Sequence, residues 1–537
     1  MELASISFWS NYLPIFSILF VILLITKFIL TKKHAKKFPP SPPSLPLIGH
    51  LHLLKQPLHR TLHHMAQKYG DVLLLRLGTR NALVVSSFSA AEECFTKNDV
   101  VFANRPRTLA GKHLNYNSKT MGFSNYNDHW RSLRRLTTLE LLSANRLLMF
   151  SGIRHEETKL MVKQLLKEHC YYSSDHDESD HNNNNNNNYT KWTRVKLRPK
   201  IVDLVFNIMM KMIAGKRYYG NEVVEEEAKQ FQSIMREVSG LLASSNINDF
   251  LPFLQWIDFQ GVEKRMTNSM KKMDSFFQSL VDEHRKILER AESDANGHDQ
   301  RNMTFIDLIL SLQKSNPQEY DDETIKGLIL AMLFAGTDTS VITIEWAMSL
   351  LLNHPNAMQR ALGEIEGNVG HERLMNESDL PNLNYLHNII NETFRLFPTV
   401  PIILPHESSE DCNVSGFHVP KGTMLLVNAW TIHRDEKLWE KATRFWPERF
   451  EGGDDHTEVG NKLLTFGAGR RVCPGALLGR RVVALALGCL IQSFEWDRIG
   501  AQTVDLAEEL GLTMSKFQPL EALCKPRQAM ICTLNKL

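Results

Sequence analysis

The chain has 537 residues, 43% hydrophobic and 23% charged, with a formal net charge of +2. Near-neutral charge argues against a nucleic-acid binder, and seven scattered cysteines argue against a disulfide framework. What is left is a chain long enough for a sizeable core, with cysteine usage that fits a reducing compartment.

Phe8–Leu30 is nearly all apolar, long enough to span a bilayer as a helix. Lys32, Lys33, Lys36 and Lys37 follow it at once. Positive charge after the apolar run marks an uncleaved anchor over residues 1–31, with the rest of the chain cytoplasmic. A cleaved signal peptide would carry its positive charges ahead of that run. Residues 32–50 are basic and then proline-rich, a stiff hinge. The remaining 51–537 reads as one catalytic domain.

Residues 71–86 read as a hairpin with a Gly/Asn turn. Trp130 and Arg134 stand one helical turn apart. Residues 173–190 hold Asn182–Asn188, seven asparagines in a row, in a Ser/Asp/His-rich setting. No core forms from that composition, so a disordered surface insertion is expected there. Asp322–Asn353 is the longest helical pattern, capped near Asp322 and stopped by Pro355. It is apolar on nearly every face, yet Asp338 and Glu345 are costly in lipid, so it is expected to run through the middle of a globule. Gly336 inside it costs about 1 kcal/mol against Ala, and leaves room for something to approach the backbone. Thr339 can bond the Ala335 carbonyl and bend the helix.

Glu392 and Arg395 share one face of a helix over Leu383–Phe397, which Pro398 ends. Phe445-Trp-Pro-Glu-Arg449-Phe450 follows. Most of the later chain reads as helix, so the fold class is mainly α with a minor antiparallel β subdomain. Near the C-terminus stands Phe466-Gly-Ala-Gly469-Arg-Arg471-Val-Cys473-Pro-Gly475. A helix pattern begins at Ala476, so the Cys473 sulfur sits at a helix N-terminus, where unpaired N–H groups favour a thiolate. Gly467, Gly469 and Gly475 let that loop turn sharply and lie against a flat surface.

Phe466-x-x-Gly469-x-Arg471-x-Cys473-x-Gly475 resembles the haem-binding loop of the cytochrome P450 family. Ala335–Ser340, Glu392-x-x-Arg395, Arg449 and Trp130-x-x-x-Arg134 resemble further motifs of that family, in the expected order. Phe102-Ala-Asn-Arg-Pro106, Ala110–Tyr116 and Pro405–Ser409 resemble plant microsomal members, closest to family 81, which includes isoflavone and phenylpropanoid hydroxylases. The resemblance implies the P450 fold behind a transmembrane helix, with Cys473 as axial ligand of haem b (iron protoporphyrin IX). It implies Arg471, Trp130, Arg134 and His406 at the haem propionates, with Phe466, Gly469 and Gly475 shaping the loop. Asp338 and Thr339 would deliver protons to dioxygen chemistry, and Glu392, Arg395 and Arg449 would form a buried structural triad.

Apolar stretches at Leu109, at Phe334 and Ala335, at Val400, Ile402 and Ile403, and at Leu512 and Met514 would touch a small hydrophobic substrate. No dinucleotide motif is present, so electrons from NADPH would arrive through a reductase. Arg131, Arg135, Arg470, Arg480 and Arg481 would offer that partner a basic face. The implied activity is a monooxygenase of the endoplasmic reticulum membrane acting on a phenolic or terpenoid metabolite. Its rivals are a haem-thiolate isomerase or dehydratase that uses no dioxygen, and a non-catalytic haem binder.

Overall fold

The protein is described from a computed structural model over residues 37–174, 189–220, 225–243, 246–254, 258, 261–293, 303–452 and 462–537. The expected anchor helix at 8–30, most of the basic part of the hinge, and residues 175–188 of the Asn-rich insertion lie outside the described residues.

Helices dominate. In chain order the larger ones are α1 (Leu58–Tyr69), α2 (Phe88–Phe95), α3 (Leu109–Leu114), α4 (Asp128–Arg135), α5 (Ser151–Ser174), α6 (Leu197–Ala214) and α7 (Glu225–Ala243). They continue as α8 (Val262–Ser293), α9 (Phe305–Ser315), α10 (Asp322–Asn353), α11 (Pro355–Val369), α12 (Asn384–Leu396) and α13 (Ala476–Ser493). Strands β1 (Val72–Leu77) and β2 (Arg80–Val85) pair with β7 (Met424–Val427) and β4 (His406–Glu407) in one sheet, ordered β1-β2-β7-β4. A second sheet holds β3 (Thr193–Lys196), β9 (Glu521–Pro526) and β8 (Phe494–Asp497), and a third pairs β5 (Cys412–Val414) with β6 (Phe417–Val419). The mainly α fold with minor sheets is as expected. One pair departs from antiparallel: β2 and β7 run parallel, which their separation by more than 300 residues permits. The β1–β2 turn is Gly78-Thr79, with Gly78 at φ +59°. Asn81 lies in β2 opposite Arg76, so the expected Asn has no part in that turn.

α10 spans the range read from the sequence. Asp321 caps it by accepting the Thr324 N–H at 2.8 Å, and Asp322 and Glu323 complement the helix dipole. It ends where Pro355 begins α11. Most of its side chains are buried among α6, α8, α12 and α13. Glu345, buried within it, receives Arg198 and the Leu520 N–H, so a carboxylate is tolerated there by full pairing. α10 and α13 are both long and apolar enough to cross a bilayer, but both pack inside the domain.

Gly336 faces a neighbour that the sequence could not name. A Cβ there would lie 2.7 Å from Met209 Cε and 2.9 Å from its Sδ. The missing side chain lets α6 seat Met209 against the α10 backbone.

Candidate functional site

The middle of α10 carries one stripe that the core leaves uncovered. Ala331, Phe334, Ala335, Asp338 and Thr339 are half-buried or exposed, while the positions around them are buried. Their spacing of three and four puts them on one side of the helix. The Thr339 hydroxyl donates to the Ala335 carbonyl at 2.7 Å, as expected. Asp338 makes no hydrogen bond or ion pair among the described residues, and burial by surrounding protein raises its pKa.

Cys473 has the same character. It is exposed by surface area, yet burial raises its thiol pKa above the ordinary value. The Gly475 N–H and the Arg134 guanidinium pull the other way but do not prevail. Without a metal, desolvation outweighs the helix start and the nearby guanidinium. A metal cation at the sulfur reverses that balance, since a coordinating thiol is deprotonated outright.

The loop itself is built by short-range geometry. The Cys473 N–H donates to the Phe466 carbonyl at 2.8 Å, and the Phe466 ring packs edge-on against Phe394. Gly469 stands at φ +66°, where a Cβ would lie 2.4 Å from Asp99 Oδ1 and 2.8 Å from the Phe95 carbonyl oxygen. Gly469→Ala is expected to cost about 1–3 kcal/mol from the left-handed backbone alone, read as a lower midpoint in thermal unfolding of haem-loaded protein. Gly475 is different. Its φ is −87°, open to any residue, and a Cβ there would lie 3.8 Å from the sulfur. That is an ordinary contact distance, so the structure sets no steric demand for glycine there.

Three guanidiniums flank this loop. Arg471 donates to the carbonyls of Ala103, Met121 and Ser124. Arg134 donates to the Val472 carbonyl at 2.6 Å. Arg105 donates to Gly122, Leu404 and Pro405 carbonyls. None pairs with a carboxylate among the described residues. Burial, then the neighbouring Arg105 and Arg134, push Arg471 down to about 9, and burial pushes Arg105 down to about 10. Three cations held together without an anion fit a group that brings its own carboxylates. A haem meets that condition with its propionates, its iron answers the desolvated sulfur, and the residues present fit it.

Two expected propionate ligands already have protein partners. His406 is buried and donates Nδ1–H to the Phe102 carbonyl at 2.6 Å. Burial, then Arg105, holds its pKa well below the ordinary value. With Nδ1 committed to that carbonyl, Nε2 is the ring nitrogen left for a propionate, whose charge would favour the protonated form. Trp130 has one N–H, and the Met121 carbonyl takes it at 3.1 Å. Its ring instead supports Arg471, whose Cζ lies 4.3 Å from the ring centre. Arg105 is the cation that sequence reasoning missed. Its signal was present in Phe102-Ala-Asn-Arg105-Pro106, which marks a subfamily but states no charge role.

The buried triad forms. Arg395 Nε and Nη2 donate to the two Glu392 oxygens at 2.7 and 2.8 Å, and Arg449 Nε donates at 3.1 Å. The Trp446 N–H adds a fourth bond. Arg395 Nη1 donates to the His433 carbonyl, and His433 Nε2 accepts the Leu464 N–H at 2.9 Å. His433, pushed down to about 3 by burial and then by Arg395 and Arg434, is the unforeseen link from the triad to the strand of chain entering the Cys473 loop.

The apolar candidates divide. Phe334 and Val400 are half-buried, and Ala335 and Leu512 are exposed. Leu109, beginning α3, is buried and donates its N–H to Asp249. Ile402 is half-buried and Ile403 buried. The extended backbone alternates, so Ile402 packs with Met424 and Leu426, and Ile403 packs with Leu425 and Val427. Met514 is fully enclosed. The supposed basic face is also largely self-neutralised: Arg131 pairs with Asp128, Arg470 with Asp99 and Arg481 with Glu377, and Arg480 donates to Asn391.

Known proteins share this arrangement in sequence. The family model described as Cytochrome P450 matches residues 39–520. The chain is 50% identical to "Cytochrome P450 81Q32" of Catharanthus roseus, covering 93% of each protein. It is 47% identical to "(+)-piperitol/(+)-sesamin synthase CYP81Q2" of Sesamum radiatum, covering 93% of each. It is 45% identical to "Isoflavone 2'-hydroxylase" of Glycyrrhiza echinata, covering 98% of each. A cysteine loop with unneutralised arginines, a central helix with an uncovered hydroxyl, and these likenesses agree: the chain belongs to the cytochrome P450 family, in its plant family 81, and is a haem-dependent monooxygenase.

Proposed function

We propose that this enzyme inserts one oxygen atom from dioxygen into a small hydrophobic plant metabolite of the phenolic class, with electrons drawn from NADPH through a reductase. Residues 8–30 would anchor it in the endoplasmic reticulum membrane, with residues 51–537 on the cytosolic side. The observation that carries the chemistry is the Cys473 sulfur beside three guanidiniums, Arg105 buried and Arg134 and Arg471 half-buried, that pair with no carboxylate among the described residues. The names of two relatives, an isoflavone hydroxylase and a sesamin synthase, support an aromatic substrate.

Bound haem supplies the iron at which dioxygen is activated. Cys473 Sγ would hold that iron, and Arg105, Arg134 and Arg471 would hold the propionates. Ala335 and Phe334 would border the substrate from α10, with Val400 and Leu512 facing it from two loops. Asp338 would carry protons inward from water. Its raised pKa increases the protonated fraction near neutral pH, which suits a donor. The Thr339 O–H is donated to the Ala335 carbonyl, so its oxygen is left to accept a hydrogen bond from, and so position, a water or oxygen species that Asp338 serves with protons.

Purified enzyme with a plant reductase, NADPH and an isoflavone should yield product carrying one atom of labelled dioxygen. Conversion without dioxygen would support the isomerase or dehydratase alternative instead. Binding with no turnover of any aromatic substrate would support a carrier. Thr339→Ala should keep its haem spectrum and still consume NADPH, while oxygenated product falls on the order of tenfold to 100-fold and peroxide rises. Unchanged coupling of NADPH to product would remove Thr339 from proton transfer.

A further inference from the structure

Thr339, Thr343 and Trp346 follow one another on α10 at spacings of four and three, on one face of the helix. The Thr343 hydroxyl donates to the Thr339 carbonyl at 2.8 Å. A hydroxyl has one proton, so its 3.2 Å contact with Thr399 Oγ1 is one in which Thr399 donates. The Thr399 carbonyl accepts the Met514 N–H at 2.8 Å. The Met514 carbonyl accepts Trp346 Nε1–H at 2.7 Å, which returns the circuit to α10. Trp346 also stacks on Phe397, with ring centres 4.0 Å apart. All four members, Thr343, Thr399, Met514 and Trp346, are buried.

This circuit joins the oxygen-side helix to two separate loops. One carries Val400 next to Thr399, and the other carries Leu512 two residues before Met514. Other bonds on these loops lead elsewhere: Pro401 to Trp430, Ile403 to Val427, Leu404 to Arg105. The Thr399 hydroxyl and the Met514 peptide together refer both loops to the two turns of helix that follow Thr339.

We propose that Thr343, Thr399, Met514 and Trp346 form a positioning circuit for substrate selectivity. It sets the height of Val400 and Leu512 against Thr339, and so which apolar shape fits and which of its carbons is presented. The inference rests on the monooxygenase function proposed above. Thr343 is a positioning residue, because it acts through the loops and touches no reacting atom. Thr343→Val keeps the helix bond from Thr343 N–H, gives up the hydroxyl's own bond to the Thr339 carbonyl, and deprives Thr399 of its acceptor. Loop placement is then lost while the helix and the cysteine loop stay.

The test uses full-length, haem-loaded protein titrated spectrally with imidazole and with 4-phenylimidazole. Both bind iron through nitrogen, but only the second extends an apolar arm to the loops. Thr343→Val should weaken 4-phenylimidazole about tenfold, the scale of one lost apolar contact, and keep imidazole within about twofold. Thr343→Ser should restore both. Thr399→Val should repeat the selective loss and serves as the second variant if the first fails to fold. Equal weakening of both ligands, no change in either, or failure of the serine variant to restore would overturn the circuit. A wild-type protein with no spectral response to imidazole would sink the haem assignment itself, a separate outcome.

Discussion

Cys473→Ala is expected to abolish oxygenated product and to remove the red-shifted Soret band that a thiolate ligand gives to reduced, CO-bound haem. The physical reason is specific to this sulfur. It is open at the surface, yet the surrounding protein disfavours an uncompensated thiolate. Only a metal cation makes its charge affordable there, and the thiolate in turn pushes electron density that favours O–O cleavage. Alanine supplies neither ligand nor charge. The remaining fold should persist, because the loop is held by the Cys473 backbone N–H on Phe466 and by Arg134 on Val472, neither of which uses the sulfur. Far-ultraviolet circular dichroism should therefore match wild type while product formation drops to background. Product at wild-type rates from folded Cys473→Ala would end the assignment of this residue.

Glu392→Ala is expected to leave almost no haem-loaded protein. Glu392 is fully buried and accepts from Arg395, Arg449 and the Trp446 N–H. Its removal leaves two guanidiniums without their carboxylate, a loss of about 3–5 kcal/mol. That is a large part of a total stability of about 5–15 kcal/mol. The damage also has a route to the site. Arg395 holds the His433 carbonyl, and His433 holds Leu464, two residues before Phe466. Arg449→Lys should be milder, since it keeps the charge and loses only the fork. The ratio of haem to protein absorbance, with the urea midpoint, measures both effects. Normal haem content and midpoint in Glu392→Ala would show that the triad does not retain the cofactor.

Much of this was legible because it depends on near neighbours in sequence. The spacing of three in Glu392-x-x-Arg395 predicts a pair, and the pair forms. Asp321 and Pro355 bound α10 where cap and stop signals place them. The Thr339 bond to Ala335 follows from helix geometry alone. What was not legible shares a cause as well. His406 lies in a strand within reach of the Phe102 carbonyl, 304 positions earlier, where burial lowers its pKa. Trp130 spends its one proton on Met121. Ile402 and Ile403 point to opposite sides of an extended segment, into two different cores. No window of local sequence contains those partners.

Order of residues by itself determined the helices, their caps, the glycine turn ahead of Cys473 and the family to which the motifs belong, because each rests on contacts a few positions apart. Tertiary structure alone decided which distant groups share one space. It brought Arg105 beside Arg471, seated Met209 on Gly336, and tied Met514 through Thr399 to the helix that bears Thr339. Burial then reassigned charge: the same imidazole or thiol that titrates in water is held neutral once neighbours replace its solvent.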